Sequence, residues 1–323
     1  MMMITRRALG ATLMLPALAR AQPAFPARPV RIIVPFPPGG GLDALGRALA
    51  EQLSATWGQP VVVENRPGGA TVPGTDAVAK AAPDGHTLLL TADNSITGNP
   101  HLVRNLPHDP LRDLAPVTWL LDVHQMVLAN PSLPARDMAG LVAAARAAPG
   151  RISYGSYGTA SQPHILFGAL SADTGIELLH VPYRGLTPAV VATLANEVQL
   201  TLAGVASARQ HIEAGTLRAL AVGRPSRLPQ LPDVPTLAEA GFPDIDPRTW
   251  FGVLAPAATP PALLARIRDD IAAAMAAPAV RDRHLTPNGY TVHVSTPADF
   301  AAMIARDYAL KRDLIRRAGI TPD

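Results

Sequence analysis

Cysteine is absent from all 323 residues, which excludes disulfides, zinc–thiolate sites and cysteine nucleophiles together. Charged residues are scarce, 16% against 48% hydrophobic, and a chain of this length with that balance can bury a sizeable core in two domains or one large one. The nine histidines are scattered with no H-E-x-x-H or H-x-H cluster, so no metal site is expected. No basic run and no aromatic-plus-basic stripe is present, which argues against nucleic acid as a partner. After the first 21 residues no apolar run reaches the roughly 20 residues that a membrane span requires.

The first residues do carry a signal. Arg6 and Arg7 precede an apolar run from Ala8 to Leu18, and Ala19-Arg20-Ala21 places small residues where a signal peptidase reads. Residues 1–21 are therefore expected to be a secretory signal, of the Sec type or, from Thr5-Arg6-Arg7-Ala8-Leu9, of the twin-arginine type. Its removal takes away three arginines and no acid, leaving 25 basic and 25 acidic residues. The mature charge is then near zero, and the high isoelectric point of the whole chain reports the signal rather than an acidic partner.

The stretch Val30 to Asp43, VRIIVPFPPGGGLD, reads as strand, bare loop and helix. Arg31-Ile32-Ile33-Val34 suits a short buried strand, and Pro35, Pro37 and Pro38 end it because each lacks a backbone N–H. Gly39, Gly40 and Gly41 carry no Cβ, so their N–H groups can approach a ligand, and the helix that follows adds unpaired N–H groups and a positive dipole end. Such a place favours anions. Leu42, Leu45, Leu49 and Leu53 recur at helical spacing, which predicts a helix from about Leu42 to Trp57 with one apolar face on a sheet. Two other readings stay open on these residues alone. The loop can be a plain strand-to-helix turn. Alternatively Gly39, Gly41 and Ala44 fit a G-x-G-x-x-A dinucleotide turn with Glu64 as a ribose contact, although Pro35 to Pro38 intervene where that turn follows its strand at once.

Further strands are expected at Val61–Glu64, Thr87–Thr91, Ile152–Tyr154, Leu178–Val181, Val198–Leu202 and Leu217–Val222, with helices at about 73–82, 138–147, 163–174 and 188–194 and a short one at Thr236–Ala240. Alternating strands and helices imply parallel sheets, whose ligands bind beyond the carboxyl ends of the strands. Ala92 to Thr97 is expected to be a polar loop facing the same crevice as the glycine loop. Gly155-Ser156-Tyr157-Gly158-Thr159-Ala160-Ser161 repeats the bare-loop device in the second half. Crossings between halves are expected near Leu114–Asn130 and Thr249–Pro256, and the helices after Pro261 should pack back on the first half. The resulting domains are 22–122 with 252–323, and 123–251.

No catalytic set is convincing. Ser156 sits in G-S-Y-G, not in the nucleophile elbow G-x-S-x-G, and no partner base can be assigned to it. Asp43 is most simply a helix-terminus carboxylate, and His164 a structural hydrogen-bonding residue in the first turn of its helix.

Pro35-Phe36-Pro37-Pro38-Gly39-Gly40-Gly41-Leu42-Asp43, Val63-Glu64-Asn65-Arg66-Pro67-Gly68, Ala82-Pro83-Asp84-Gly85, His180-Val181-Pro182-Tyr183-Arg184-Gly185, Leu217-Arg218-Ala219-Leu220-Ala221-Val222, Pro232-Asp233-Val234-Pro235-Thr236 and Trp250-Phe251-Gly252 together resemble the Bug-type substrate-binding receptors of tripartite tricarboxylate transporters. The match runs from Pro29 to the C-terminus. It implies an α/β type II periplasmic-binding-protein fold, two domains with a ligand cleft between them. The implied protein is not an enzyme and needs no cofactor. It is a periplasmic monomer that captures a small organic carboxylate and passes it to membrane transporter subunits or a sensor. An exported oxidoreductase using the G-x-G-x-x-A turn is the alternative. The ligand contacts so implied are Phe36, Pro38, Gly39, Gly40, Gly41, Asp43 and Asp93 from one half, with Ser156, Thr159, Ser161, His164, Tyr183 and Gly185 from the other.

The chain also departs from the family. Gly41 and Leu42 stand where Ser and then Thr or Ala are usual, Tyr157 and Ala160 replace small residues of the second loop, and Leu186 and Ala203 make the far side of the site more apolar. Asp93 stands where a small or hydroxyl residue is usual. A carboxylate there would repel a second ligand carboxylate, which predicts monocarboxylates or amino-acid-like ligands.

Overall fold

The structure, a computed structural model, describes residues 25–158, 161–245 and 247–321. The expected signal, residues 1–21, and the candidate contact Thr159 lie outside the described residues.

Two sheets carry the fold. The first contains β1 (Val30–Val34), β2 (Val61–Asn65), β3 (Thr87–Ala92), β4 (Leu114–Val123), β10 (Thr249–Pro256) and β11 (Thr291–Val292), ordered β11-β4-β10-β3-β1-β2. The second contains β5 (Gln125–Ala129), β6 (Ser153–Ser156), β7 (Leu179–Pro182), β8 (Leu200–Gly204) and β9 (Arg218–Val222), ordered β7-β6-β8-β5-β9. The helices are α1 (Gly41–Trp57), α2 (Val72–Ala79), α3 (Asn99–Leu102), α4 (Met138–Ala147), α5 (Gln162–Thr174), α6 (Leu186–Leu194), α7 (Val205–Glu213), α8 (Pro261–Ala276), α9 (Pro278–Val280) and α10 (Pro297–Arg317).

Period-2 alternation sorts each strand between two cores. In β1, Ile32 and Val34 pack with Leu45, Leu49 and Leu53 of α1, while Ile33 turns to the opposite face with Trp250 and Phe300. Both faces of the inner strands β3 and β10 are covered, which is why these strands read as continuous apolar runs. Leu45, Leu49 and Leu53 of α1 are at most 1% exposed. Each such leucine contributes roughly 1.5–3 kcal/mol by burial, and Leu49→Ala would cost about 2–5 kcal/mol. In the second sheet Val127, Tyr154, Leu200 and Leu202 pack under α4 and α5, and Met126, Leu128 and Val222 face the core of α6 and α7.

The sheets are mixed rather than parallel. β10 runs antiparallel between β3 and β4, and β5 runs antiparallel between β8 and β9. The cause is the crossing: β4 ends at Val123 and β5 begins at Gln125, so the chain enters the second sheet at an inner strand beside its edge and returns through β10 in the opposite sense. At the first crossing the His124 ring ties the halves together, its Nδ1 lying 3.1 Å from the Gly223 carbonyl and its Nε2 2.8 Å from Thr291 Oγ1.

Three other expectations change. The segment after β3 is helical, with a wide turn at Asn94–Gly98 running into α3, because Thr97 Oγ1 bonds the Asp93 carbonyl and Asp307 from α10. The short helix expected at Thr236–Ala240 is a single turn closed by reciprocal Thr236 and Glu239 bonds, and Gly241 at φ 92° ends it. Finally, α10 does not pack on the first half alone: it also lies against α5, and its Lys311 bonds Gln162.

Candidate functional site

A cleft of about 410 Å³ lies where β1, β3 and β10 of one sheet meet the helix-leading ends of β7 and β8 of the other. Both walls are made by the same local event, a strand that stops at Pro or Gly and releases a helix. Pro37 and Pro38 end the β1 wall, and Gly40 caps α1 in an extended conformation (φ −81°, ψ 168°) with no side-chain cap. Gly185 leads α6 and Gly204 leads α7, also without side-chain caps, and both line the cleft. Gln162, the first residue of α5, lines it as well, and the preceding Ser161 turns its hydroxyl onto the Gly158 carbonyl instead of capping the helix. In contrast α4 and α10, whose first residues do not line the cleft, are capped by Asp137 and Thr296. At α2 and α8 no side chain caps either, and their first residues do not line the cleft. Four helix N-termini thus bring unpaired N–H donors and positive dipole ends to one cavity, an arrangement suited to an anion.

The glycine loop is held from beneath by Asp43. Its carboxylate accepts from the Gly39 N–H at 2.9 Å, from Arg47 Nε at 3.1 Å and from Asn65 Nδ2 at 2.9 Å. Burial by itself would raise this carboxyl, but these donors outweigh it and hold Asp43 below its ordinary value. Gly39 is at φ 88°, a conformation that favours glycine. A Cβ on Gly41 would stand 2.9 Å from the Tyr290 hydroxyl, whereas one on Gly40 would meet nothing within 4 Å. At the other lip a Cβ on Gly185 would stand 3.6 Å from Pro37 Cγ, so the two walls nearly touch there.

Asp93 lines the cleft, yet its charge is answered within the protein. Lys311 Nζ of α10 lies 2.6 Å from Oδ2, and Thr249 Oγ1 donates to Oδ1. Burial raises the Asp93 carboxyl, Lys311 opposes the rise, and the nearby Asp307 adds to it. Lys311 also donates to Gln162 Oε1 at 2.6 Å, so one ammonium joins the two halves behind the cleft. Next to it the Tyr157 hydroxyl donates to Gln125 Oε1 at 2.9 Å, and burial raises that phenol. The expectation that Asp93 repels a ligand carboxylate or attracts an ammonium loses its footing, because Lys311 already neutralises it.

The structure brings Phe36, Pro38, Gly40, Gly41, Asp43, Asp93 and Gly185 to the cleft lining. Gly39 adjoins it through Asp43. The Ser156 hydroxyl is 2.6 Å from His180 Nε2 and the Ser161 hydroxyl is spent on its own loop, so both side chains brace the second loop rather than line the cavity. His164 stacks on His180 with ring centroids 4.1 Å apart and lines a separate surface hollow with Tyr154 and Arg317. Tyr183 packs beside Gly155, outside the lining. Gln125, Gln162, Arg184, Thr249 and Phe251 line the cleft without having been singled out from sequence as contacts. Thr249 and Phe251 had one available signal, their place in the return crossing. Glu64, the ribose candidate of the dinucleotide reading, is paired with Arg66 at 2.6 Å and lies outside the lining. Among the described residues no group of His, Cys, Asp and Glu could hold a metal ion, and no helix is long and apolar enough to cross a membrane.

Comparison with known proteins places the fold in a family. The chain is 36% identical to Protein BugT of Bordetella pertussis over 296 residues, which is 91% of this chain and 90% of that one. Its fold matches the periplasmic binding protein BugD with a TM-score of 0.85 at 30% identity, covering 93% of this chain and all of the other. A protein of R. palustris solved with adipate matches at TM-score 0.85 and 31% identity, again over 93% of this chain and all of that one. A further one, from Rhodopseudomonas palustris with bound malate, matches at 0.84 and 27% over 90% of this chain and all of that one. Residues 45–320 match the family described as the tripartite tricarboxylate transporter family receptor, and the chain belongs to that family of Bug-type solute-binding receptors.

Proposed function

We propose that this chain is an extracytoplasmic receptor that captures a small organic carboxylate between its two halves and delivers it to a tripartite tricarboxylate-type transporter or a sensor. The observation that carries the reading is the convergence of four uncapped helix N-termini on one cavity. Backbone N–H groups and dipole ends can hold a carboxylate there without an arginine. The adipate and malate bound by two proteins of similar fold support it. On this reading residues 1–21 are removed on export, and 22–122 with 252–323 closes against 123–251 about the crossings near His124 and Thr249. Gly40 and Gly41 grip the carboxylate from one side, with the N-termini of α5, α6 and α7 opposite.

Native mass spectrometry of the protein purified from the periplasm tests the reading, with N-terminal sequencing of the same sample. A co-purifying organic acid and a chain beginning near Gln22 are expected. Retention of Met1 removes export. Saturable nicotinamide-cofactor binding with no response to any carboxylate would instead favour the oxidoreductase.

A further inference from the structure

We propose that the acid taken by this cleft carries one carboxylate on an apolar, ring-containing body, aromatic or alicyclic, and is not a di- or tricarboxylate. The inference rests on the carboxylate-receptor reading above and concerns what lies beyond the gripped carboxylate.

Beyond the helix ends the wall is Phe36, Leu42, Val123, Leu186, Pro188 and Phe251. Two of these occupy the positions that would most help a second anion. Leu42 is the second residue of α1 and Leu186 the first of α6, where a hydroxyl side chain would add a donor to the helix end. Leucine there offers only contact surface.

The acidic groups of the lining are already satisfied, Asp43 by Arg47, Asn65 and the Gly39 N–H, and Asp93 by Lys311 and Thr249. The Lys311 charge is used by Asp93, so it does not balance a ligand anion as well. With the four helix ends engaged by the first carboxylate, the groups left are Asn94, Gln125 and Thr187, which can bond a hydroxyl or carbonyl substituent but, unlike a helix end, bring no positive dipole to a second buried charge. Arg184 is the one cationic side chain of the described lining, and it is exposed at the rim, where water screens it.

A second carboxylate would therefore sit against leucine and phenylalanine or stretch out to the rim, and closure would strip its water without replacing it. A ring fits the same space by burial alone. At about 410 Å³ the cavity is near the small end of the ~300–1,000 Å³ typical of ligand sites, room for one small acid.

The test is titration calorimetry on the mature protein freed of co-purified acid by unfolding and refolding, with benzoate and cyclohexanecarboxylate against succinate, malate, adipate and citrate. The expected result is binding of at least one of the two ring acids about tenfold or more tighter than any polycarboxylate. Leu186→Ser, which opens a hydroxyl at the head of α6, should shrink that ratio to about threefold or less, and Phe36→Ser should do the same by a wall on the other half. A polycarboxylate binding as tightly as the ring acids overturns the inference but not the receptor reading, most directly if Arg184→Gln abolishes that binding. A ring-acid preference that survives both serine variants overturns the role given to the apolar wall. If no acid in the panel binds, the receptor reading falls and this inference falls with it.

Discussion

Gly40→Val separates the site from the fold. Gly40 sits at φ −81°, ψ 168°, which any L-residue adopts, and a Cβ there meets nothing within 4 Å. Neighbouring glycines do not allow so clean a change. Gly39 is at φ 88°, and a Cβ on Gly41 would press on the Tyr290 hydroxyl. Exchanging Gly for Val at a helix N-cap costs about 0.5–1 kcal/mol. Removing glycine from the unfolded chain returns about 0.4–1 kcal/mol. The two effects nearly cancel, so the unliganded variant should melt within a degree or two of the parent.

Binding behaves otherwise, because the valine methyls enter the space where the carboxylate must meet the Gly40–Leu42 N–H groups. Ligand at a hundred times its dissociation constant stabilises the native protein by about 2.7 kcal/mol. With an unfolding entropy of about 2.1 cal/mol/K per residue, a chain of this length has roughly 0.6 kcal/mol/K, and the melting temperature should rise by about 4 °C. Thermal unfolding followed by circular dichroism, with and without the tightest-binding acid, should show that rise in the parent and none in Gly40→Val. An undiminished rise in the variant would refute the placement of the carboxylate at this helix end.

Lys311→Met should destabilise by about 3–5 kcal/mol in urea unfolding, since it leaves the buried Asp93 carboxylate without its ammonium, and adding Asp93→Asn should recover most of that loss. A loss below about 1 kcal/mol for the single variant would mean the pair is not formed in solution. Asp43 lies below its ordinary value of 3.8 in the fold, so its contribution is fully present above about pH 4 and is lost as pH falls through the lower folded value. The stability gap between the parent and Asp43→Asn should accordingly be constant from pH 7 to 5 and narrow below pH 4, and a gap that widens on acidification would contradict the donor set described. Small-angle scattering should show compaction when saturating ligand closes the halves about the crossings near His124 and Thr249, and identical curves with and without ligand would exclude closure.

Much of the architecture was legible along the chain because its cause is local. Pro37 and Pro38 must stop a strand, three glycines must leave a helix uncapped, and leucines spaced at 42, 45, 49 and 53 must lie on one face. Those constraints act within a few residues, and α1 begins and ends where they require, from Gly41 to Trp57 with Gly58 as its left-handed cap. The order of motifs likewise carried the family. Tertiary structure decided what depends on groups far apart in the chain. β10 is antiparallel in the first sheet because the chain returns from the second, a sense of direction that no apolar run records. Asp93 reads in sequence as a free carboxylate facing a ligand, and only the packing of α10 brings Lys311 to within 2.6 Å of it. Ser156 and His164 share the pattern of a binding loop, but the pairing of β6 with β7 places His180 beside both, so they brace that loop and a surface hollow instead. The sequence by itself determined that α1 and α5 follow bare loops, and the fold added the uncapped ends of α6 and α7. Which side chains complete the cavity around them was decided by long-range contacts, because burial and charge pairing are properties of neighbours in space and not in sequence.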